Sequence, residues 1–109
     1  MHELAITESV VSAVAERLPD AKVTEIRLEI GALSGVVADS VRFCFDLVTE
    51  GTNLAGARLD IVEPQANCRC RSCAAEFTLD GPIVLCECGS ADIEVVSGME
   101  LRILSVRVV

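Results

Sequence analysis

The spacing of apolar residues in the first half of the chain changes from a helical period to a strand period and back. Residues 4–18 predict an amphipathic helix, with apolar positions on one face at Leu4, Val11, Val14 and Leu18. Over residues 23–30 the period becomes two, which predicts a half-buried strand. A second helix is expected to run to about Glu50, with Asp39 or Ser40 as its N-cap.

The second half of the chain predicts further strands on either side of a cysteine-rich segment. Residues 57–63 alternate between apolar and polar side chains, and residues 93–96 and 99–109 are also strand-like. In the last segment the apolar positions change face between Ile103 and Leu104, which predicts a bulge or burial on both faces. We expect this segment to be a central strand.

The order of these elements predicts an α+β fold, in which two helices pack on a roughly three-stranded sheet that carries an inserted zinc-ribbon-like module. The base would comprise residues 1–63 and 92–109, and the module residues 64–91. Because this module is small and polar, we expect bound metal to supply its folding free energy.

Five of the six cysteines fall in two tight clusters, which indicates a metal site. Cys70 and Cys73 have the spacing of a zinc knuckle, whereas Cys86 and Cys88 are one residue closer together. Zn(II) takes about four tetrahedral ligands, and these two pairs supply four thiolates. Cys68 is then a spare cysteine, which could replace Cys86 as a ligand or take no part in metal binding. The spacing also allows iron in place of zinc.

Disulfides are the alternative reading of the same clusters. Cysteines one residue apart on an extended segment point to opposite faces and rarely bridge. The start of the chain lacks the basic and apolar regions of a secretory signal, so we expect a cytoplasmic protein with reduced thiols. Metal binding is therefore favoured over disulfides.

The composition of the chain argues against two further classes of function, nucleic-acid binding and membrane insertion. The chain has 109 residues, of which 51% are hydrophobic, enough for a single domain with a core. Its net charge of -8 argues against nucleic-acid binding, which needs clustered Lys and Arg. No segment approaches the roughly 20 apolar residues that span a bilayer, so no membrane insertion is expected.

The amino terminus suggests a second metal site, built around the single histidine of the chain. The amine of Met1 and the amide and imidazole nitrogens of His2 can close two fused chelate rings, and Glu3 adds a carboxylate. Such planar nitrogen donors suit Ni(II) or Cu(II) rather than tetrahedral Zn(II). Taken alone this signal is weak, because most histidines near a chain terminus are merely solvated.

Three stretches together resemble the HypA/HybF family of hydrogenase nickel-incorporation proteins: Met1-His2-Glu3, the segments 31–36 and 43–48, and the cysteine module ending in Cys88-Gly89-Ser90. The resemblance covers the full chain. It implies a cytoplasmic metallochaperone that delivers Ni(II) to the large subunit of a [NiFe] hydrogenase together with a nickel GTPase. It leaves open whether the protein forms a homodimer.

The resemblance also assigns residues. It implies that His2 binds nickel with Met1 and Glu3 beside it, and that Cys70 and Cys73 form the first zinc pair. Cys88 matches the family cysteine that precedes Gly-Ser.

Two positions depart from the family pattern. Only one residue separates Cys86 from Cys88, and Val37 stands where the family often has an acidic residue, with Asp39 nearby. A zinc-ribbon adaptor with an inert amino terminus is the alternative function. An enzyme is disfavoured, because the chain has one histidine, no Gly-rich phosphate loop and a closed four-thiolate site.

Overall fold

The computed structural model describes residues 2–79 and 83–109. Within these ranges the chain forms two helices and six strands in the order α1 (Glu3–Arg17), β1 (Val23–Ile30), α2 (Ala38–Val48), β2 (Arg58–Val62), β3 (Ala66–Cys70), β4 (Glu76–Leu79), β5 (Ile93–Ser97) and β6 (Leu101–Val108). The strands form two separate three-stranded sheets, β2-β1-β6 and β4-β3-β5. The molecule is elongated, with extents of 53 × 21 × 17 Å.

The first sheet and both helices form the base of the molecule. Strand β1 lies in the centre, parallel to β2 and antiparallel to β6. The inward residues of β1 pack beneath the two helices in two hydrophobic clusters. One is made of Val11, Val14, Val23, Ile26, Phe45 and Leu54. The other is made of Leu28, Ile30, Ala38 and Val41. The predicted α+β architecture is confirmed, and β3 to β5 lie between the second and third base strands in sequence.

Helix α1 presents its apolar face to the core except in its first turn. Leu4, expected on the buried face, is 51% exposed, whereas Thr7 is buried. The Thr7 hydroxyl donates a hydrogen bond of 2.7 Å to the Glu3 carbonyl oxygen, which satisfies this polar group in the interior. The expected position of Leu4 was therefore wrong.

The start of α2 also differs from the prediction. The helix begins at Ala38 and its N-cap is Val37, whose side chain forms no capping hydrogen bond. Instead, Oε2 of Glu3 accepts a hydrogen bond of 3.2 Å from the Val37 N–H group. Asp39 forms an ion pair of 2.6 Å with Arg42. The predicted capping by Asp39 or Ser40 was wrong, because a carboxylate from α1 supplies the acceptor near this helix end.

Strand β6 lies at the edge of the base sheet rather than at its centre, so that expectation was also wrong. Its predicted irregularity is confirmed, because Arg27 pairs with Ser105 and Leu28 with Ile103. Leu104 is thus the extra residue of a bulge.

The second sheet carries the cysteines. Strand β3 lies between β4 and β5, and both neighbours are antiparallel to it. A small hydrophobic cluster holds this sheet together, formed by Ala66, Cys68 and Leu79 with Leu33, Phe77, Val84, Ile93 and Val95 packed around it. Because β5 pairs with β3, residues 93–97 are hydrogen-bonded to the cysteine-bearing sheet. The domain division at residues 63/64 and 91/92 stays a prediction.

The two sheets meet at a close backbone contact between Gly31 and Gly98. The carbonyl oxygen of Gly98 accepts a hydrogen bond of 2.8 Å from the Leu33 N–H group. Gly98 has φ +108, and a Cβ placed on it would lie 2.4 Å from the Cα of Ala66. This junction therefore requires glycine at position 98.

Candidate metal centres

Four cysteines converge at one end of the second sheet. Cys70 is the last residue of β3 and Cys73 lies in the turn after it, while Cys86 and Cys88 lie in the segment before β5. The four Sγ atoms lie within 4.8 Å of one another. The structure thus brings together the four residues that the sequence predicted as zinc ligands.

The sulfur spacing fits a tetrahedral ion and not disulfides. The Sγ atoms of Cys73 and Cys86 are 3.6 Å apart, and those of Cys70 and Cys88 are 3.7 Å apart. A disulfide would bring two sulfurs to about 2.05 Å. Zn–S bonds of about 2.3 Å give a tetrahedral edge of about 3.8 Å, close to both observed spacings. The four-cysteine cluster is therefore consistent with a zinc site.

Two tight turns present these sulfurs. In the first, the Ala74 N–H group donates to the Cys70 carbonyl oxygen at 2.9 Å, and Ala74 adopts φ 65. In the second, the Gly89 N–H group donates to the Cys86 carbonyl oxygen at 2.9 Å. The hydroxyl groups of Ser72 and Ser90 form a hydrogen bond of 2.8 Å, which links the two turns directly.

The turns also set the acidity of the thiols. The backbone N–H group of Cys73 stabilises the Cys70 thiolate and, with further help from Ser72, lowers the pKa of Cys70 to about 6. For Cys86, the N–H group of Cys88 favours the thiolate, but burial and the sulfurs of Cys88 and Cys70 outweigh it and raise the pKa of Cys86. Cys70 is thus ready as a thiolate, the form that metals bind, at neutral pH.

Cys68 lies outside this group of four. Its side chain is 2% exposed and packs in the hydrophobic cluster of the second sheet. In the register of β3 it stands opposite Phe77 on β4 and Val95 on β5. The structure therefore gives Cys68 a packing environment and does not bring it into the cluster in place of Cys86.

The predicted nickel site lies partly outside the described residues, because Met1 is not among them. His2 is exposed and is the N-cap of α1, and its carbonyl oxygen accepts a hydrogen bond of 3.0 Å from the Ile6 N–H group. Glu3 follows as the first helical residue. The assignment of nickel to Met1, His2 and Glu3 stays a prediction.

Glu3 has a role that the sequence did not reveal. Its carboxylate accepts the hydrogen bond from Val37, and this bond is the largest cause that holds its pKa below the ordinary value. The contact joins the first residue of α1 to the N-cap of α2. An acidic residue in the first turn of a helix was visible in the sequence, but its partner 34 positions away was not.

Comparisons with known proteins identify the family. The family model described as "Hydrogenase/urease nickel incorporation, metallochaperone, hypA" matches residues 1–108. The hydrogenase maturation factor HypA of Nostoc punctiforme is 44% identical over 108 residues, which cover 99% of this chain and 96% of that protein. The protein of the same name from Geotalea uraniireducens is 47% identical over 109 residues, covering 99% of both chains.

A solved structure shows the same fold. The solution structure of the Ni metallochaperone HypA from Helicobacter pylori superposes with a TM-score of 0.68 at 24% sequence identity, and the match covers 99% of this chain and 97% of that one. In the part of this chain that the structure describes, no helix is long and apolar enough to cross a membrane. From the match over residues 1–108 and the close relatives, the chain belongs to the HypA family of nickel-incorporation metallochaperones, a family of carriers and not of enzymes.

Proposed function

We propose that this protein binds Ni(II) at its amino terminus and delivers it to the large subunit of a [NiFe] hydrogenase during maturation. In this proposal Ni(II) is the cargo, held by the Met1 amine, the backbone and side chain of His2, and Glu3. Zn(II) is the resident ion, held by Cys70, Cys73, Cys86 and Cys88.

One observation carries the zinc part of the proposal: the sulfur spacings of 3.6 and 3.7 Å. The site has four cysteine sulfurs on two turns, and the Ser72–Ser90 hydrogen bond joins these turns. A closed shell of four protein ligands leaves no open position, so the ion would hold structure rather than act on a substrate. Binding of Zn(II) would stabilise the second sheet, whose own hydrophobic cluster is small.

The exposure of His2 supports the nickel part. A carrier must release its ion to a receiving protein, and ligands at an exposed chain end can be exchanged one at a time for those of the acceptor. The amine, amide and imidazole nitrogens at the amino terminus favour Ni(II), whereas the cysteine thiolates favour Zn(II). The two metals would therefore be sorted by the chemistry of their ligands.

The Glu3–Val37 hydrogen bond also supports a defined nickel site. It fixes the first turn of α1 against the start of α2, so that His2 projects from an anchored helix end. We place the protein in the cytoplasm and propose the nickel GTPase of hydrogenase maturation as a second partner. The family membership supports both statements.

The experiment is a calorimetric Ni(II) titration of the zinc-loaded protein with an untagged amino terminus. His2→Ala and a form extended by a few residues before Met1 are compared with the wild type. We expect the wild type to bind one equivalent tightly and both variants to lose this binding, because each removes one nitrogen donor from the chelate. Equal nickel binding by all three would reject the proposal and favour a zinc-ribbon adaptor with an inert amino terminus.

A further inference from the structure

An apolar groove runs between α1 and the edge strand β6, on the helix side of the base sheet. Two adjoining cavities of about 310 and 420 Å³ form it, and both are lined by Ala13 and Ile103. The remaining walls are mainly aliphatic: Ile6, Val10, Leu28 and Leu101 in one cavity, and Val14, Leu18 and Val106 in the other.

The bulge at Leu104 gives β6 one apolar and one polar face. The residues paired with the inward side chains of β1 are all apolar: Leu101, Ile103, Val106 and Val108. Those paired with its outward side chains are polar: Arg102, Ser105 and Arg107. An amphipathic strand of this kind is expected to bury its apolar face.

The two helices leave that apolar face incompletely covered. The buried cores beneath them draw on β1 and β2 but include only Val106 from β6. Leu101, Ile103 and Val108 are 38%, 36% and 47% exposed, although they lie on the core side of the sheet. Contiguous exposed apolar surface next to a groove is typical of an interaction site.

The charge around the groove is unlike that of the whole protein. The chain has 17 acidic and 9 basic residues, yet the two charged residues that line the cavities are both arginines, Arg17 and Arg102. Arg102 is paired with Glu29 at 2.5 Å. Among the described residues no ion pair forms with Arg17, so this guanidinium is available to an acidic group of a partner.

We propose that this groove binds an amphipathic helix of a partner protein, with an apolar stripe towards Ile103 and an acidic side chain beside Arg17. A helix fits because it would lie beside α1 and cover β6 as α1 and α2 cover the other strands. Strand addition to the open edge fits less well, because the bulge at Leu104 interrupts the ladder. The inference does not depend on either metal site.

The test uses the zinc-loaded full chain and a fluorescent helical peptide of about five turns, with leucines along one stripe and glutamates at its flanks. A second peptide carries lysines in place of the glutamates. The key variant is Ala13→Glu, which puts a charge into the shared wall of both cavities. Its matched control is Ser12→Glu, which adds the same charge at the neighbouring exposed position of α1, outside the lining residues.

We expect the acidic peptide to bind wild type and Ser12→Glu alike, and Ala13→Glu roughly tenfold or more weakly. Arg17→Ala should weaken the acidic peptide selectively and reduce its advantage over the lysine peptide. Amide chemical shifts should change along α1 and β6. The proposal is overturned if neither peptide binds, or if Ala13→Glu and Ser12→Glu bind the acidic peptide equally well. It is also overturned if the wild type self-associates in sedimentation and only Ala13→Glu abolishes this self-association, because a second copy of the chain would then fill the groove.

Discussion

Replacing Gly98 with alanine should weaken the junction between the two sheets. Gly98 adopts φ +108, where a residue with a Cβ is strained by about 1–3 kcal/mol. The new Cβ would also lie 2.4 Å from Cα and 2.7 Å from Cβ of Ala66, which is fully buried. Relieving such an overlap costs about 1–3 kcal/mol. The combined destabilisation of about 2–6 kcal/mol is a large part of the 5–15 kcal/mol typical of a domain.

The matched control is Gly56→Ala. Gly56 has φ +76, but a Cβ placed on it would meet nothing within 4 Å, so the control carries backbone strain without the overlap. Urea unfolding of the zinc-loaded proteins, followed by far-ultraviolet circular dichroism, compares the two. We expect the midpoint of Gly98→Ala to lie roughly 1 M below that of Gly56→Ala. Equal midpoints would show that the overlap with Ala66 does not contribute.

Three further outcomes follow from the contacts around the cysteines and the junction. Cys68→Ala should keep one bound zinc per chain by metal analysis and lose about 1 kcal/mol of stability, because Cys68 packs in the hydrophobic cluster of the second sheet and lies outside the group of four cysteines. Loss of zinc would contradict this. In the zinc-free protein, ultraviolet absorbance should show a thiolate forming with a pKa of about 6 that Cys70→Ser removes. The Glu100 carboxylate accepts a hydrogen bond from the Gly98 N–H group, and this bond lowers the pKa of Glu100 below its usual 4.5. The stability that Glu100 contributes is therefore present above pH about 4.5 and is lost as the pH falls through the folded-state pKa. Glu100→Gln should therefore reduce the free energy of unfolding at neutral pH and converge with the wild type in acid; a constant difference at all pH values would refute this.

Local patterns in the sequence predicted much of the fold. The period-two alternation of β1 located a strand whose inward residues Ile26, Leu28 and Ile30 are buried. The change of face at Leu104 predicted the bulge. The spacing of the cysteines predicted the group of four, because coordination geometry depends on residue type and local turns.

The features that the sequence did not predict depend on contacts between distant segments. Strand order places β6 at a sheet edge. The apolar pattern of β6 could not reveal this, because a central strand and an edge strand beside an open groove can have the same pattern. The acceptor at the start of α2 comes from Glu3 on another helix, which the local preference for Asp39 could not reveal. Thr7 is buried because its hydroxyl donates a hydrogen bond to a backbone carbonyl oxygen. Hydropathy alone would place this polar residue on the exposed face.

The central claim is that one chain holds two metals at chemically separate sites. The most direct measurement loads the wild type, His2→Ala and Cys73→Ser with both Ni(II) and Zn(II), removes loosely bound metal, and determines both metals per chain. The account predicts that His2→Ala loses nickel and keeps zinc, whereas Cys73→Ser loses zinc and keeps nickel. If His2→Ala retains its nickel, or if Cys73→Ser loses both metals while its amino-terminal helices remain folded, the account of two separate sites is contradicted.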